Sequence, residues 1–223
     1  MHQDRGKAAG SRLTWIVVVL WIVIGCGHST ELKHPMYSSF IHSIQTVLLL
    51  PPETVVLEMA ADGLPVRHEQ AGRAAVGQWT QAIERILTGK RLRVVTVDEI
   101  VLNDPDIKEL QSLYRLVERS IQLHTQGSQL FPAKLHTFDY EVGSVSGLLK
   151  QHAADALVIA IGNQTISQDR YRTWISIAVI EPHGRLIWHN KVSGQTDAAD
   201  QSSRETVREL VELLLNPFLR EVS

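Results

Sequence analysis

Residues 172–192 read RTWISIAVIEPHGRLIWHNKV, and the reading of the fold starts there. Arg172–Glu181 and Leu186–Val192 have the β-branched and aromatic composition of strands. The four residues between them, Pro182-His183-Gly184-Arg185, have turn composition. In the first strand Trp174, Ser176, Ala178 and Ile180 take one face, and Ile175, Ile177 and Val179 the other. Apolar residues on both faces place this strand well inside a sheet rather than at its edge.

Immediately upstream, Ala156–Ile161 (ALVIAI) is an apolar run ending at Gly162 and reads as a central strand. The polar residues 163–171 between the two runs read as loop. Downstream, Ser202-x-x-Glu205 has capping-box spacing. Val207, Leu210, Val211, Leu214 and Leu215 then form a helical stripe, with Pro217 closing the helix.

Further towards the N-terminus, Thr46–Leu50 (TVLLL) is a short strand stopped by Pro51-Pro52, which cannot donate ladder hydrogen bonds. Thr54–Ala60 resumes with alternation, Val55, Leu57 and Met59 on one face, and Asp62-Gly63 marks a turn. Arg73–Thr88 is predicted helical, with Trp79, Ile83, Ile86 and Leu87 on one stripe and a stop at Gly89. Leu92–Val97 is strand-like. Asn103-Asp104-Pro105 starts another helix, with Ile107, Leu110, Leu113, Tyr114, Val117 and Ile121 on its apolar face. Gly127 to Tyr140 reads as loop, and a short helix covers Ser144–His152. Strands and helices mix without strict alternation. The expected class is therefore α/β in the α+β sense: one mixed β-sheet with a β-hairpin in its C-terminal half and helices packed on the sheet.

The N-terminal segment has a different character. Residues 1–14 are polar, with Arg5, Lys7 and Arg12 against Asp4. Trp15–Ile24 (WIVVVLWIVI) is an unbroken apolar run. Ten residues match a signal-peptide core and fall short of the roughly 20 needed to span a bilayer. The run ends in Val23-Ile24-Gly25-Cys26, and Cys26 is the single cysteine of the chain. This resembles the bacterial lipobox: an aliphatic pair, a small residue, then Cys. The resemblance implies lipidation of Cys26, signal cleavage after Gly25, and firm membrane attachment, since three acyl chains exceed the two-signal threshold for stable anchoring. An ordinary secretory signal cut elsewhere and an uncleaved anchor are the competing readings. Gly27 and His28, rather than Asp, follow the cysteine, so the resemblance implies the periplasmic face of the outer membrane before the inner membrane. The expected organisation is residues 1–25 as lipoprotein signal peptide, 26–44 as lipidated Cys and tether, and 45–219 as a single mixed α/β domain. Residues 28–43, with little periodicity, read as the tether proper, about 50 Å when extended.

The whole chain carries 22 Lys+Arg and 24 Asp+Glu, a formal charge of -2. Cleavage after Gly25 removes Arg5, Lys7, Arg12 and Asp4, leaving 19 basic and 23 acidic residues, a net of -4. That balance argues against a nucleic-acid partner and against purely electrostatic attachment to anionic lipid. A single cysteine excludes an intramolecular disulfide and a Cys-rich zinc site.

The order of elements behind the lipobox resembles the periplasmic α/β lipoprotein domains related to the N-terminal domain of TolB, to the curli secretion lipoprotein CsgG and to the penicillin-binding-protein activator LpoB. Three segments carry it. They are Thr46–Pro52, Ala154-Asp155-Ala156-Leu157-Val158-Ile159 entering a central strand, and Ile175–Asn190, where Gly184 and Trp188 match a strand–turn–strand pattern. Glu181 and Pro182 depart from it. The resemblance implies a non-catalytic module that binds envelope proteins. A secretion pore would need long amphipathic membrane hairpins, whereas this hairpin reads as sheet core.

Chemistry-bearing motifs are sparse. Gly143-Ser144-Val145-Ser146-Gly147 fails as a nucleophile elbow because Val145 stands where Ser is needed. Gly89-Lys90-Arg91 lacks the rest of a phosphate loop. Nine histidines follow the signal: His28, His34, His42, His68, His124, His136, His152, His183 and His189. They are scattered, and no metal or other cofactor is expected. Asp155, Asp169 and Glu181 are the candidate carboxylates for acid–base work. Arg170, Tyr171, Arg172 and Trp174 form a basic-aromatic run of a kind that stacks on sugars or bases. The expected function is a lipid-anchored envelope interaction or accessory module and not an enzyme. Its expected partners are the membrane, through Cys26, and an envelope protein. The alternative is an envelope hydrolase acting on wall or lipid material.

Overall fold

The computed structural model describes residues 29–97, 104–126, 137–167, 170–197 and 203–222. Among the described residues, the hairpin at residues 172–192 lies in the middle of a mixed eight-stranded sheet. The strands are β1 (Ser29–Lys33), β2 (Thr46–Leu49), β3 (Glu53–Met59), β4 (Pro65–Arg67), β5 (Arg93–Thr96), β6 (Ala156–Ser167), β7 (Arg170–Ile180) and β8 (Leu186–Asp197). The helices are α1 (Tyr37–Ile41), α2 (Glu69–Gly89), α3 (Pro105–Gln126), α4 (Ser146–Gln151) and α5 (Ser203–Leu219). The sheet order is β1-β8-β7-β6-β2-β5, and β3 pairs with β6 and β4 beside this path. The α+β class, the single mixed sheet, the hairpin and the helices packed on the sheet are all present.

Pro51 and Pro52 explain how β6 takes two partners on one edge. Leu49 lies opposite Val158 and Glu53 opposite Ile161, both in parallel register. The β2–β3 chain therefore takes four steps where β6 takes three. Two prolines without N–H groups break the ladder at that one-residue bulge, and β3 continues along the second half of β6.

Strand alternation divides the core between the two faces. Val47, Leu49, Val158, Ile175, Ile177 and Val179 pack with α2 and α5 through Trp79, Ile83, Leu87, Val211, Leu214 and Phe218. Leu48, Leu157, Ile159, Ala178 and Ile180 pack with α3 and α4 through Ile107, Tyr114, Ile121 and Leu149. With both faces covered, β6 and β7 carry apolar residues at nearly every position, as inner strands do.

Several expectations change. Of the stretch 28–43 expected to be a tether, the described residues 29–43 are not free. Ser29–Lys33 pairs antiparallel with β8, Ser29 opposite Val192 and Lys33 opposite Trp188, and Tyr37 and Ile41 are buried in the core. Five residues with Thr, Glu and Lys among them give too weak an alternation to read as a strand, but the edge of β8 supplies the backbone partners. Of the polar stretch 163–171, Asn163–Ser167 and Arg170–Tyr171 continue the β6–β7 ladder, Asn163 opposite Trp174 and Ile166 opposite Tyr171. The ladder there is made by backbone groups, while the side chains are those of a sheet end. Helix α2 starts at Glu69, capped by the His68 side chain, which accepts from Ala71 N–H at 3.2 Å. Its first turn lacks the apolar periodicity that marks the rest. Pro217 sits inside α5, which ends at Leu219. The carbonyl it leaves without an amide belongs to Leu213, on the exposed side of the helix where water reaches it. The Pro105 start holds: the Asp104 carboxylate accepts from Asp106 N–H at 2.9 Å. Asn103, Ser202 and residues 127–136 lie outside the described residues.

Candidate functional site

Cys26 and Gly25 lie outside the described residues. The nearest described position is Ser29, already paired in β1, so only Gly27 and His28 stand between Cys26 and the sheet.

Within the domain, β3, β6, β7 and α3 enclose a cleft of about 540 Å³. The prolines carry the chain to Glu53. On α3, Gln111, Arg115 and Glu118 follow at helical spacing beside the inward apolar stripe, and Asn163 and Trp174 come from the β6–β7 pair. Arg115 Nε lies 3.4 Å from Glu53 Oε2, close enough for ionic attraction but not aligned for a hydrogen bond. Burial raises the Glu53 carboxyl above the usual carboxylate range, and the Arg115 charge offsets part of that. Glu118, 3 % exposed, accepts from Lys191 Nζ at 3.2 Å and from Gln122 Nε2. The same Lys191 ammonium stands 4.4 Å from the Trp174 ring centroid. The cleft is thus lined by charges that already have partners.

Deeper under α3 runs a chain of buried polar groups. Tyr114 OH and Ser176 Oγ share a hydrogen bond of 3.0 Å, and Ser176 Oγ and His189 Nε2 share one of 2.9 Å. Burial, with the nearby Lys191 charge, lowers His189 to a pKa of about 3, and Nδ1 has no hydrogen-bond partner. A Ser–His pair has the composition of a nucleophile and its base, but both residues are buried at 0 % and 1 % exposure. No substrate atom reaches Ser176 in this conformation, so the chain of bonds orders the core.

Among the described residues, those singled out from sequence do not converge on one site. The Asp155 carboxylate accepts from the backbone of Gln45 and Thr46, tying β6 to β2. Burial works to raise Glu181, but hydrogen bonds led by that from Arg185 Nε at 2.9 Å outweigh it and hold the carboxyl below its ordinary range. Asp169 lies outside the described residues, as do His28 and His136. His183 is exposed in the turn, whereas His189 points into the core. His34 accepts from Met36 N–H, and His124 shares a hydrogen bond with Tyr140. Among the described residues no group of three or more His, Cys, Asp or Glu is placed to hold a metal ion. Strand alternation puts Tyr171 on the face opposite Arg170, Arg172 and Trp174, so the basic-aromatic run is split. Ser144 bonds to Ser146 and to the Pro182 carbonyl in the loop leading into α4. Sequence reasoning missed Glu53, Arg115, Glu118, Lys191 and the Ser176–His189 pair. One signal was available: Gln111 and Glu118 are seven residues apart and flank the apolar stripe of α3, which places both at its buried margin.

The fold defines a class, a mixed α+β domain with helices on both sheet faces. No family model matches the chain, and no curated protein does. Among solved structures it is similar to the PelC dodecamer from Paraburkholderia phytofirmans, at 8 % identity over 86 % of this chain and 97 % of that one, TM-score 0.44. It is similar to lipoprotein GNA1162 from Neisseria meningitidis, at 10 % identity over 80 % and 99 %, TM-score 0.39. A third is the LpoB C-terminal domain from Salmonella enterica, at 13 % identity over 72 % and 96 %, TM-score 0.23. Likeness at these levels assigns no activity, ligand or partner to this chain.

Proposed function

We propose that this chain is a lipid-anchored lipoprotein of the bacterial envelope, acting at the periplasmic face of the outer membrane as a non-catalytic module that docks an envelope protein. The observation that carries the reading is Val23-Ile24-Gly25-Cys26, the lone cysteine at the end of a ten-residue apolar run. Among the described residues no helix is long and apolar enough to cross a membrane. A docking role is supported by the outer side of α3, where Leu113, Leu116 and Leu123 are exposed, a stripe of the kind that partner proteins cover.

Cys26→Ser is expected to move the protein from membrane to soluble fractions, with loss of fatty-acid incorporation. Unchanged membrane fractionation would sink the lipoprotein reading. Leu116→Glu with Leu123→Glu is expected to abolish co-purification of the partner while leaving membrane attachment intact.

The hydrolase reading keeps one observation in its favour: the Glu53 carboxyl, raised by burial beside a cleft that also holds Glu118. Against it, Glu53 faces Arg115 and Glu118 is held by Lys191. The expected result is no turnover of wall or lipid substrates. A hydrolysis abolished by Glu53→Gln would reverse the ranking.

A further inference from the structure

Ser29 fixes where a lipid on Cys26 has to sit. Three peptide links join the two residues, and even fully extended they span no more than about 11 Å. Ser29 lies opposite Val192 of β8. From Val192 the β7–β8 ribbon runs five residues to Asp197, whose partner is Arg170. At the usual rise that is roughly 17 Å. In the other direction it runs six residues to Leu186, roughly 20 Å, before the Pro182–Arg185 turn begins. β1 is antiparallel to β8, Lys33 at Trp188 and Ser29 at Val192, so its N-terminal end points along β8 towards Asp197 and Arg170. The link covers about two-thirds of that distance, while the turn lies in the opposite direction and beyond its reach.

The Arg170 end carries an exposed apolar feature. β3 runs parallel to β6, Glu58 opposite Ile166, and its hairpin with β4 turns just beyond that level. At this hairpin Leu64 is 62 % and Val66 56 % exposed. Arg170 and Arg172 project from the end of β7, both exposed, with Arg172 Nε donating to Gln195 at 3.2 Å. Among the described side chains, the acidic groups facing this end are Glu58 and Asp62, both exposed. The Asp62 carboxylate accepts from Leu64 N–H at 3.0 Å, which shapes the hairpin turn. Apolar tips flanked by arginines suit the boundary between headgroups and acyl chains.

We infer that the sheet end bearing Leu64, Val66, Arg170 and Arg172 rests on the phospholipid surface that holds the Cys26 acyl chains, with the Pro182–Arg185 turn pointing away from it. This rests on the lipoprotein reading above and adds an orientation to it.

The test uses the full lipidated chain in vesicles of phosphatidylethanolamine and phosphatidylglycerol. A thioether at Cys26 leaves an introduced cysteine as the sole free thiol. Leu64→Cys, Arg170→Cys and His183→Cys are each labelled with an environment-sensitive dye, and nitroxide-bearing lipids are the quencher. Probes at 64 and 170 are expected to lose about half or more of their emission, and the probe at 183 almost none. Val66→Cys replaces Leu64→Cys if the latter does not fold. Intact mass on the same samples reports the lipid. Lipid present with 64 and 170 unquenched, or with 183 quenched equally, overturns the orientation and leaves the lipoprotein reading standing. An unmodified Cys26 in soluble protein overturns both.

Discussion

His189 follows the hairpin turn in sequence, yet it is one of the most enclosed polar residues of the described structure, at 1 % exposure. Its pKa of about 3 carries a sign that can be tested. The unfolded chain binds a proton near pH 6.5, whereas the folded chain does not until about pH 3. Stability is therefore lost as pH falls through that window, at up to about 1.4 kcal/mol per pH unit from this one group. His189→Gln keeps a hydrogen-bonding group for Ser176 and removes the titration. Its Tm against pH is expected to be flatter than wild type between pH 6 and 4, and parallel profiles would refute this role. Sequence could not distinguish His183 from His189. Both flank the turn, and only the register sends one into the core.

At the scale of elements, the β7–β8 hairpin was legible because alternation and turn composition agree. Gly184 shows why the turn is specific. Its φ is +95°, and a Cβ there would overlap the Gly143 carbonyl. Gly184→Ala is expected to cost about 2–3 kcal/mol, read as a lowered urea midpoint. Helix α3 was legible as an amphipathic helix, but its polar margin was not legible as a site. Glu118 meets Lys191 only because α3 crosses β8, 73 residues later in the chain. Lys191→Met strands a buried carboxylate and is expected to destabilise by about 3 kcal/mol, while adding Glu118→Leu should recover most of that. Chemical unfolding of the single and double variants checks it. The polar end of β6 was misread as loop for the converse reason. Asn163, Gln164 and Thr165 contribute no apolar alternation, yet their backbones are paired on both sides.

At the scale of the molecule, the N-terminal stretch matters most. Read as a tether it would let the domain wander about 50 Å from its anchor. As strand β1 and helix α1 it is part of the core, with Tyr37 at 2 % and Ile41 at 1 % exposure. A chain beginning at Gln45 would lose both side chains and the cover on β8. Burial of two such groups is worth about 4 kcal/mol or more. That shortened chain is expected to unfold at a markedly lower urea concentration than one beginning at His28, and to self-associate through the bared β8 edge. Equal midpoints and a monomeric sedimentation profile would refute it.

The sequence by itself determined what is local and covalent: an apolar run ending at a lone cysteine, the proline break after β2, the hairpin, and the apolar stripes of α2, α3 and α5. Each is a pattern within one stretch of chain, set by rotamer, donor and period. Only the tertiary structure decided that residues 29–33 close the sheet, that Glu53, Arg115 and Trp174 share a cleft, and that Ser176 and His189 are sealed. Those outcomes depend on which backbone edge is free to pair and which faces meet. Residues far apart along the chain set them together, so no single stretch carries their signal.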